Sequence, residues 1–281
     1  MPHTISFKQP SASSHLLAAL LICISAGCGE TTSTEQQAQD NASATEAAGD
    51  ETKAASEETD ANKEPAVTTE DTTGKVLRHA VFFAFKEDSS PEDVQKVVDA
   101  FVELPSKIEQ ITGFQHGINN SPEGLNDGFT HCFVLTFADE AGRAAYLPHP
   151  AHKAFGDLLR PHMKDVFVVD YWGTPQPNAP AKALQHAVFF RFLDGADAEK
   201  VAEVEQAFAA LPSKIDTIKG FEWGKNNSPE THDDGFTHCF MVTFDSEEGR
   251  AAYLPHPEHL AFVEILKSVL DAPRVLDFWT E

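Results

Sequence analysis

DGFTHCF, residues 127–133, occurs again without a change at residues 234–240. The similarity extends beyond these two stretches, because residues 76–174 align with residues 183–281 at a constant offset of 107 residues and without a gap. About half of the aligned positions are identical, and self-similarity at a fixed period indicates one structural unit that occurs twice. The sequence therefore predicts a tandem repeat.

The boundaries of the two predicted domains follow from the segment between the copies. Three prolines fall within residues 174–183, where they exclude a regular helix or a central strand and favour a short, semi-rigid linker. The first domain is therefore predicted at residues 76–173 and the second at residues 184–281.

Each copy has the pattern expected of six elements in the order β-α-β-β-α-β. Short runs rich in Val and Phe predict strands, and Ser90 followed by Pro91 predicts the start of a helix. A second helix is predicted over residues 140–159, with a break at Pro148-His-Pro150. In the first copy the strands are predicted at 79–86, 114–119, 129–137 and 166–171. This order is typical of a ferredoxin-like α+β fold.

The alternation within one strand predicts how the two copies pack. Side chains alternate between the two faces of a strand, and here both faces are apolar. One face carries His131, Phe133, Leu135 and Phe137, and the other carries Cys132, Val134 and Thr136. Since the helices of one copy cover a single face, the sheet of the other copy is expected to cover the second. The sequence thus predicts an intrachain α+β barrel, a monomer with an internal pseudo-dimer.

The first 75 residues predict an export signal and a tether. An apolar run over residues 16–24, too short to span a bilayer, precedes Ser25-Ala-Gly-Cys28 and fits a signal peptide over 1–28 that ends like a bacterial lipobox. Cys28 is then the expected lipidation site, and an ordinary cleaved signal is the alternative. Residues 29–75 hold twelve acids, three lysines and no aromatic residue, which predicts a disordered tether. We therefore expect a lipid-anchored envelope protein or a secreted one.

Charge and motifs exclude several classes of function. The formal net charge is −23, whereas a nucleic-acid-binding protein needs a basic face, so we expect no nucleic-acid partner. The sequence contains no glycine-rich phosphate loop and no nucleophile elbow. Their absence from the sequence argues against a phosphoryl-transfer enzyme and against a hydrolase. No cofactor is expected.

Four segments of the first copy carry a resemblance to a known family. They are His79-Ala-Val-Phe-Phe-Ala-Phe-Lys86, Asp127-Gly-Phe-Thr-His131, Tyr146-Leu-Pro-His-Pro-Ala-His152 and Asp170-Tyr-Trp172. Together they resemble the stress-responsive dimeric A/B-barrel domain family, and the resemblance covers each repeat almost entirely. It implies the barrel fold, normally built by two chains. One plant member of that family is a polyketide cyclase, while most bacterial members have no assigned reaction.

The resemblance implies a set of candidate site residues. In the cyclase, a histidine of the matching segment acts as a general base and the tyrosine polarises a carbonyl, which makes Tyr146 and His152 the catalytic candidates. Their equivalents in the second copy are Tyr253 and His259. The candidate ligand-binding residues are His79, His131 and Asp170 and their equivalents His186, His238 and Asp277. Such a set suits removal of a proton from a carbon next to a carbonyl group.

Other residue patterns give weaker expectations. His149-Pro-Ala-His152 has a spacing that metal sites can use, but its proline disturbs the helical placement, so no metal site is expected. Cys132 and Cys239 occupy equivalent strand positions, and we expect buried free thiols rather than a disulfide. Arg143 and Arg250 are expected to be solvated helix residues.

Three classes of function remain open on the sequence alone. The chain is expected to bind a small apolar molecule in a pocket within a domain. The alternatives are a cyclase-like lyase that uses the Tyr/His pairs, and a structural or interaction domain without a ligand. A cavity that reaches Tyr146 and His152 favours the first two, whereas a core filled by Phe83, Phe101 and Phe155 favours the third.

Overall fold

The computed structural model describes residues 71–176, residue 180 and residues 182–281. The predicted signal peptide, Cys28 and the tether up to residue 70 therefore lie outside the described residues. Among the residues that are described, no helix is long and apolar enough to cross a membrane.

The first repeat contains four strands and four helices. The strands are β1 (Val76–Phe85), β2 (Gly113–Ile118), β3 (His131–Phe137) and β4 (Met163–Gly173). The helices are α1 (Pro91–Val102), α2 (Leu104–Lys107), α3 (Glu140–Tyr146) and α4 (Pro150–Leu159).

The second repeat has the same order of elements. Its strands are β5 (Leu184–Phe192), β6 (Gly220–Lys225), β7 (His238–Phe244) and β8 (Leu270–Trp279). Its helices are α5 (Ala198–Ala210), α6 (Glu247–Tyr253) and α7 (Pro257–Leu266), with a 3-10 turn at Leu211–Ser213 after α5.

Each repeat forms one antiparallel four-stranded sheet. The strand order is β2-β3-β1-β4 in the first repeat and β6-β7-β5-β8 in the second. In both sheets the first strand lies in the middle, between the third strand and the fourth, which is the ferredoxin-like arrangement. The predicted α+β fold with two ferredoxin-like repeats is confirmed.

Local sequence determines where the helices begin. Ser90 caps α1 by accepting a hydrogen bond from the Asp93 amide at 3.2 Å, and Pro91 occupies the first helical position. The second predicted helix is divided into α3 and α4 at the expected proline break. His149 caps α4, because its Nδ1 accepts a hydrogen bond from the Ala151 amide at 3.2 Å.

The described part of the chain contains three hydrophobic cores. Two of them lie between a sheet and the helices of the same repeat. The third contains residues of both sheets, among them Phe82 and Cys132 from the first repeat and Phe189 and Cys239 from the second. The two sheets therefore pack face to face, as predicted, and the interior between them is formed by both repeats.

Backbone hydrogen bonds join the edges of the two sheets. The amide of Asn227 donates to the carbonyl of Asp170 at 2.9 Å, and the amide of Asn120 donates to the carbonyl of Asp277 at 2.8 Å. These two bonds are equivalent under the 107-residue offset. Because each bond joins a loop of one repeat to the last strand of the other, both repeats are needed to complete each edge.

Candidate functional site

The break between α3 and α4 brings together the two catalytic candidates of the first repeat. Tyr146 is the last residue of α3, and His152 lies in the first turn of α4. Their ring centroids are 4.3 Å apart. His152 Nδ1 donates a hydrogen bond to the Leu147 carbonyl at 3.0 Å, which leaves Nε2 of the neutral ring as the lone-pair acceptor.

A buried chain of charged groups lies beside this pair. His79 and Asp170 face each other on the neighbouring strands β1 and β4, and the distance from Nδ1 to Oδ1 is 2.7 Å. The other oxygen of Asp170 accepts a hydrogen bond from Arg143 Nη1 at 2.7 Å. Asp170 therefore holds the imidazole on one side and a guanidinium on the other, and all three side chains are buried. The expectation that Arg143 is solvated is wrong.

A loop of the second repeat completes the site of the first. Arg143 Nη1 also donates to the side-chain oxygen of Asn227 at 2.8 Å, and the Asp170 amide donates to the side chain of Asn226 at 3.1 Å. Further along this loop, Glu230 Oε2 lies 3.8 Å from His79 Nε2. That oxygen is buried and has no hydrogen-bond partner.

These groups surround a cavity of about 300 Å³ between the sheet and the helices of the first repeat. Apolar side chains form most of its wall, including Phe83, Phe101, Phe155 and Leu159. Its polar side chains are those of His79, Tyr146, His152, Arg160, Glu230 and His232. The volume is at the lower end of the range for small-molecule sites, roughly 300–1,000 Å³.

The two histidines at the cavity have opposite shifts of pKa. Burial disfavours a charge on His79, but the ion pair and hydrogen bond with Asp170 outweigh burial and raise the pKa of His79. Burial lowers the pKa of His152, and its hydrogen bond to Leu147 opposes this only in part. Burial and the charges of Glu230 and Asp170 raise the pKa of Tyr146, so its hydroxyl keeps its proton. The surroundings thus favour the neutral ring of His152, the protonated ring of His79 and the protonated hydroxyl of Tyr146.

The second repeat keeps the same polar set around a much smaller space. His186 Nδ1 lies 2.7 Å from Asp277 Oδ1, and Tyr253 and His259 have their ring centroids 4.3 Å apart. Arg250 donates to Asp277 at 2.7 Å, so it is buried and paired like its equivalent in the first repeat, and not solvated. The cavity here measures about 30 Å³, which is room for about two water molecules.

Two of the predicted ligand-binding residues lie outside the cavities. His131 and His238 lie on the helix-side face of their strands, but at the strand starts, opposite Phe83 and Phe190. His79 pairs with Leu135, four residues along β3 from His131, which is about 13 Å. His131 packs instead edge-on against Phe85, and His238 bonds to Glu205 at 2.9 Å. The prediction that they line the same pocket is wrong.

The remaining candidates have different positions relative to the cavity. Asp170 and Asp277 are fully buried behind His79 and His186, so they orient the histidines and do not line either cavity. Cys132 and Cys239 are free and buried. The described residues include no group of three or more His, Cys, Asp and Glu side chains placed to hold a metal ion.

Sequence reasoning missed Glu230 and His232, which line the cavity from the other repeat. Glu230 belongs to the repeated block Asn226–Glu230, so its recurrence was visible in the sequence. His232 corresponds to Leu125 and gave no such signal. Neither could be assigned to the first site, because the exchange of loops between repeats is a property of the packed barrel.

Comparisons with known proteins agree with this architecture. A family model described as the stress responsive A/B barrel domain matches the chain twice, over residues 77–173 and 184–280. The stress-response A/B barrel domain-containing protein HS1 of Arabidopsis thaliana is 38% identical over 95 residues, which cover 34% of this chain and 87% of that protein. Olivetolic acid cyclase of Cannabis sativa is 27% identical over 96 residues, which cover 34% of this chain and 95% of the cyclase.

A solved structure supports the fold alone. An anthrone oxidase-like protein aligns over 75% of this chain and 93% of its own, with a TM-score of 0.51 and 13% sequence identity. In contrast to the two plant relatives, which match the length of one repeat, this protein covers most of the barrel.

Proposed function

The chain belongs to the stress responsive A/B barrel domain family, and we propose that it binds a small, largely apolar molecule in the cavity of the first repeat. The observation that carries the proposal is the cavity of about 300 Å³ that reaches both Tyr146 and His152. Phe83, Phe101 and Phe155 line this space without filling it, which argues against a purely structural domain.

The lining supports a ligand with an apolar body and a polar end. Aromatic and aliphatic side chains favour burial of the body, because transfer of apolar surface from water contributes roughly 25 cal/mol per Å². At the polar end, the Tyr146 hydroxyl and the His79 imidazolium can donate hydrogen bonds, and Glu230 can accept one. A carbonyl or hydroxyl group on the ligand would satisfy these partners.

Native mass spectrometry of the purified full chain tests this proposal. We expect a small molecule to co-purify and to be lost on denaturation, and the Gly156→Val variant to lack it. Gly156 lines the cavity, and a Cβ atom there would meet no other atom within 4 Å, so we expect a valine side chain to occupy open space of the cavity. A wild-type chain that carries no molecule and binds none from a panel of small ketones and phenols would contradict the proposal.

A second candidate function, proton transfer, rests on the geometry of Tyr146 and His152. His152 Nε2 would accept a proton from a carbon next to a carbonyl group, and the C–H electron pair would form the enolate. The Tyr146 hydroxyl would donate a hydrogen bond to the enolate oxygen, and His152 would return a proton to the product. The opposite pKa shifts of His79 and His152 support such a division between acid and base. The similarity to olivetolic acid cyclase supports it as well.

Proton exchange distinguishes a lyase-like enzyme from a binder. In deuterated water, NMR would follow the methyl protons of a para-hydroxyacetophenone in the presence of the full chain. We expect exchange to be faster with the wild-type protein than with His152→Gln, while both proteins bind the ketone. If the ketone binds saturably but its methyl protons exchange no faster than in buffer alone, the chain is a binding protein. That result would contradict the proposed proton transfer.

We also propose that the chain is exported and anchored through a lipid on Cys28. The support is the sequence pattern of residues 16–28, an apolar run followed by small residues and cysteine. In a bacterial host, the full chain is expected in the membrane fraction and the Cys28→Ser variant is not. Equal partition of the two proteins would contradict lipidation.

A further inference from the structure

The two cavities share two histidines, a tyrosine and a glutamate in their walls but differ about tenfold in volume. The first cavity measures about 300 Å³ and the second about 30 Å³. The distance from histidine Nδ1 to aspartate Oδ1 is 2.7 Å in both repeats, between His79 and Asp170 and between His186 and Asp277. The difference in volume therefore does not come from the His–Asp pairs.

Substitutions in the apolar wall account for the smaller cavity. Gly156 of α4 corresponds to Val263 of α7, which lines the second cavity and adds a branched side chain to it. His232, at the first cavity, corresponds to Leu125, which is buried in the helix–sheet core of the second repeat. Two larger or more deeply buried apolar groups thus occupy space that is open in the first repeat.

The loop of the second repeat is held firmly over the first cavity. Asn226 and Asn227 bond to Asp170 and Arg143, and the Val168 amide donates to the His232 carbonyl at 2.9 Å. These bonds position Glu230, whose unpartnered Oε2 lies 3.8 Å from His79 Nε2. A buried carboxylate oxygen without a donor is costly, and a ligand that supplies a donor would remove that cost.

We infer that, of the two equivalent cavities in the described repeats, only the first is a ligand site, a composite of both repeats in which Glu230 of the second repeat selects ligands that carry a hydroxyl group. The inference rests on the proposed function of the first cavity. The second repeat supplies the wall with Glu230 and His232, and its own cavity is closed to ligands. Tyr253 and His259 then contribute to packing of the second repeat and do not form a second ligand site.

A fluorine NMR titration with a ring-fluorinated para-hydroxyacetophenone tests the inference on the full chain. This probe has an aromatic body, a carbonyl group and a phenolic donor. We expect saturation at one probe molecule per chain. Glu230→Gln should weaken binding roughly tenfold, because it removes a charged acceptor. Glu123→Gln, the same change at the equivalent position of the second cavity, should alter binding less than twofold.

Paired variants at the cavity wall locate the site independently of charge. Gly156→Val should abolish binding of the probe, whereas Val263→Ile should leave it unchanged. Thermal melting and circular dichroism of each variant confirm that the fold is intact before binding is compared.

The possible outcomes separate the inference from the proposed function. Two probe molecules per chain, or equal losses from Glu230→Gln and Glu123→Gln, would overturn the single composite site and leave ligand binding intact. Binding that is unaffected by Gly156→Val would overturn it as well. An absence of saturable binding by the wild-type chain would overturn the proposed function for this ligand class, and with it the inference.

Discussion

The neighbours of two histidines that share one cavity shift their pKa values in opposite directions. His79 has the ionised Asp170 in contact with its Nδ1, and His152 has only a backbone carbonyl at the same atom. An ionised partner favours the imidazolium, whereas burial beside a neutral acceptor favours the neutral ring. The strand pairing of β1 with β4 thus determines which histidine has the raised pKa.

The first prediction concerns the titration of these histidines. By NMR, we expect His79 of the wild-type chain to lose its proton above its ordinary pKa of about 6.5, and His259, whose pKa is lowered to about 4, to lose it well below. In Asp170→Asn, burial remains while the ion pair is lost, so the pKa of His79 should fall below its ordinary value. Asp277→Asn is the matched control, because it should lower the pKa of His186 and leave the pKa of His79 unchanged.

The same shifts determine the sign of the pH dependence of stability. A histidine whose pKa is raised on folding stabilises the fold fully below its unfolded pKa, and this contribution is lost as pH rises through the folded pKa. For His79 and His186 the loss begins near pH 6.5. For His259 the sign is opposite, and stability falls between about pH 6.5 and pH 4 on acidification. Urea unfolding should therefore show a maximum near neutral pH; a profile that rises steadily above pH 7 would contradict this.

A second prediction follows from the buried hydroxyl of Tyr253. This group is fully buried and has no hydrogen-bond partner, and an unsatisfied polar group costs about 1–3 kcal/mol. Tyr253→Phe should therefore raise the free energy of unfolding by about 1 kcal/mol. Tyr146→Phe, at the open cavity, should change it by less than about 0.5 kcal/mol and weaken ligand binding. Destabilisation by Tyr253→Phe would indicate that its hydroxyl has a partner.

At the scale of elements, one arginine of β8 joins the turns that precede β3 and β7. Arg274 binds Asp127 and Asp234, the equivalent residues of the two repeats, each at 2.9 Å. Its guanidinium also lies 4.2 Å from the ring centroid of Phe167, the residue that occupies the equivalent position in the first repeat. A single side chain therefore closes this end of the barrel for both repeats.

The third prediction is that lysine cannot replace Arg274. A planar guanidinium can bind two carboxylates and stack on a ring at once, while an ammonium group cannot. Arg274→Lys should lower the free energy of unfolding by about 1–2 kcal/mol. Most of this loss should come from the desolvated ring contacts, because both aspartates are partly exposed and their ion pairs contribute little. Arg160→Lys, at an exposed pair with Asp157, should cost less than about 0.5 kcal/mol in the same urea experiment. Equal effects would contradict the proposed role of Arg274.

The elements were predictable from the sequence, while their relative positions were not. Ser90, Pro91 and the proline break act on the chain within a few residues, so the local sequence contains the signal. Arg143 was misjudged because its partners Asp170 and Asn227 are 27 and 84 residues away. Alternation grouped His131 with Phe133, Leu135 and Phe137 on one face of β3, but which part of that face borders the cavity depends on where the helices lie.

The candidate site shows the same limit. The polar residues of the cavity were found from a motif resemblance, yet the volume depends on how α4 and α7 pack on their sheets. Gly156 and Val263 differ visibly in the sequence, but only the packed structure places both on a cavity wall. Loop exchange between the repeats likewise arises from the barrel as a whole.

At the scale of the whole molecule, a polar cluster between the sheets is specific for pairing of the first repeat with the second. Arg78 Nε donates to Glu222 at 2.9 Å, and the Tyr171 hydroxyl donates to the same oxygen at 2.9 Å. The equivalent positions hold Gln185 and Gln115, joined by one long hydrogen bond of 3.4 Å. A pair of two first repeats would place Arg78 opposite Gln115 and leave it without a carboxylate. The cluster therefore favours the intrachain pair.

The fourth prediction is that the two repeats stay together when the chain between them is cut. A protease site inserted within residues 174–183 would be cleaved after folding, and native mass spectrometry on dilution would follow the halves. We expect one first repeat bound to one second repeat, because the core between the sheets contains residues of both. Glu222→Gln should weaken this association by roughly 3 kcal/mol, since it leaves Arg78 with no buried counter-charge. Glu205→Gln is the matched control, because Glu205 pairs with Lys225 within its own repeat. Halves that separate at micromolar concentration, or equal effects of the two variants, would contradict the pairing assigned to this cluster.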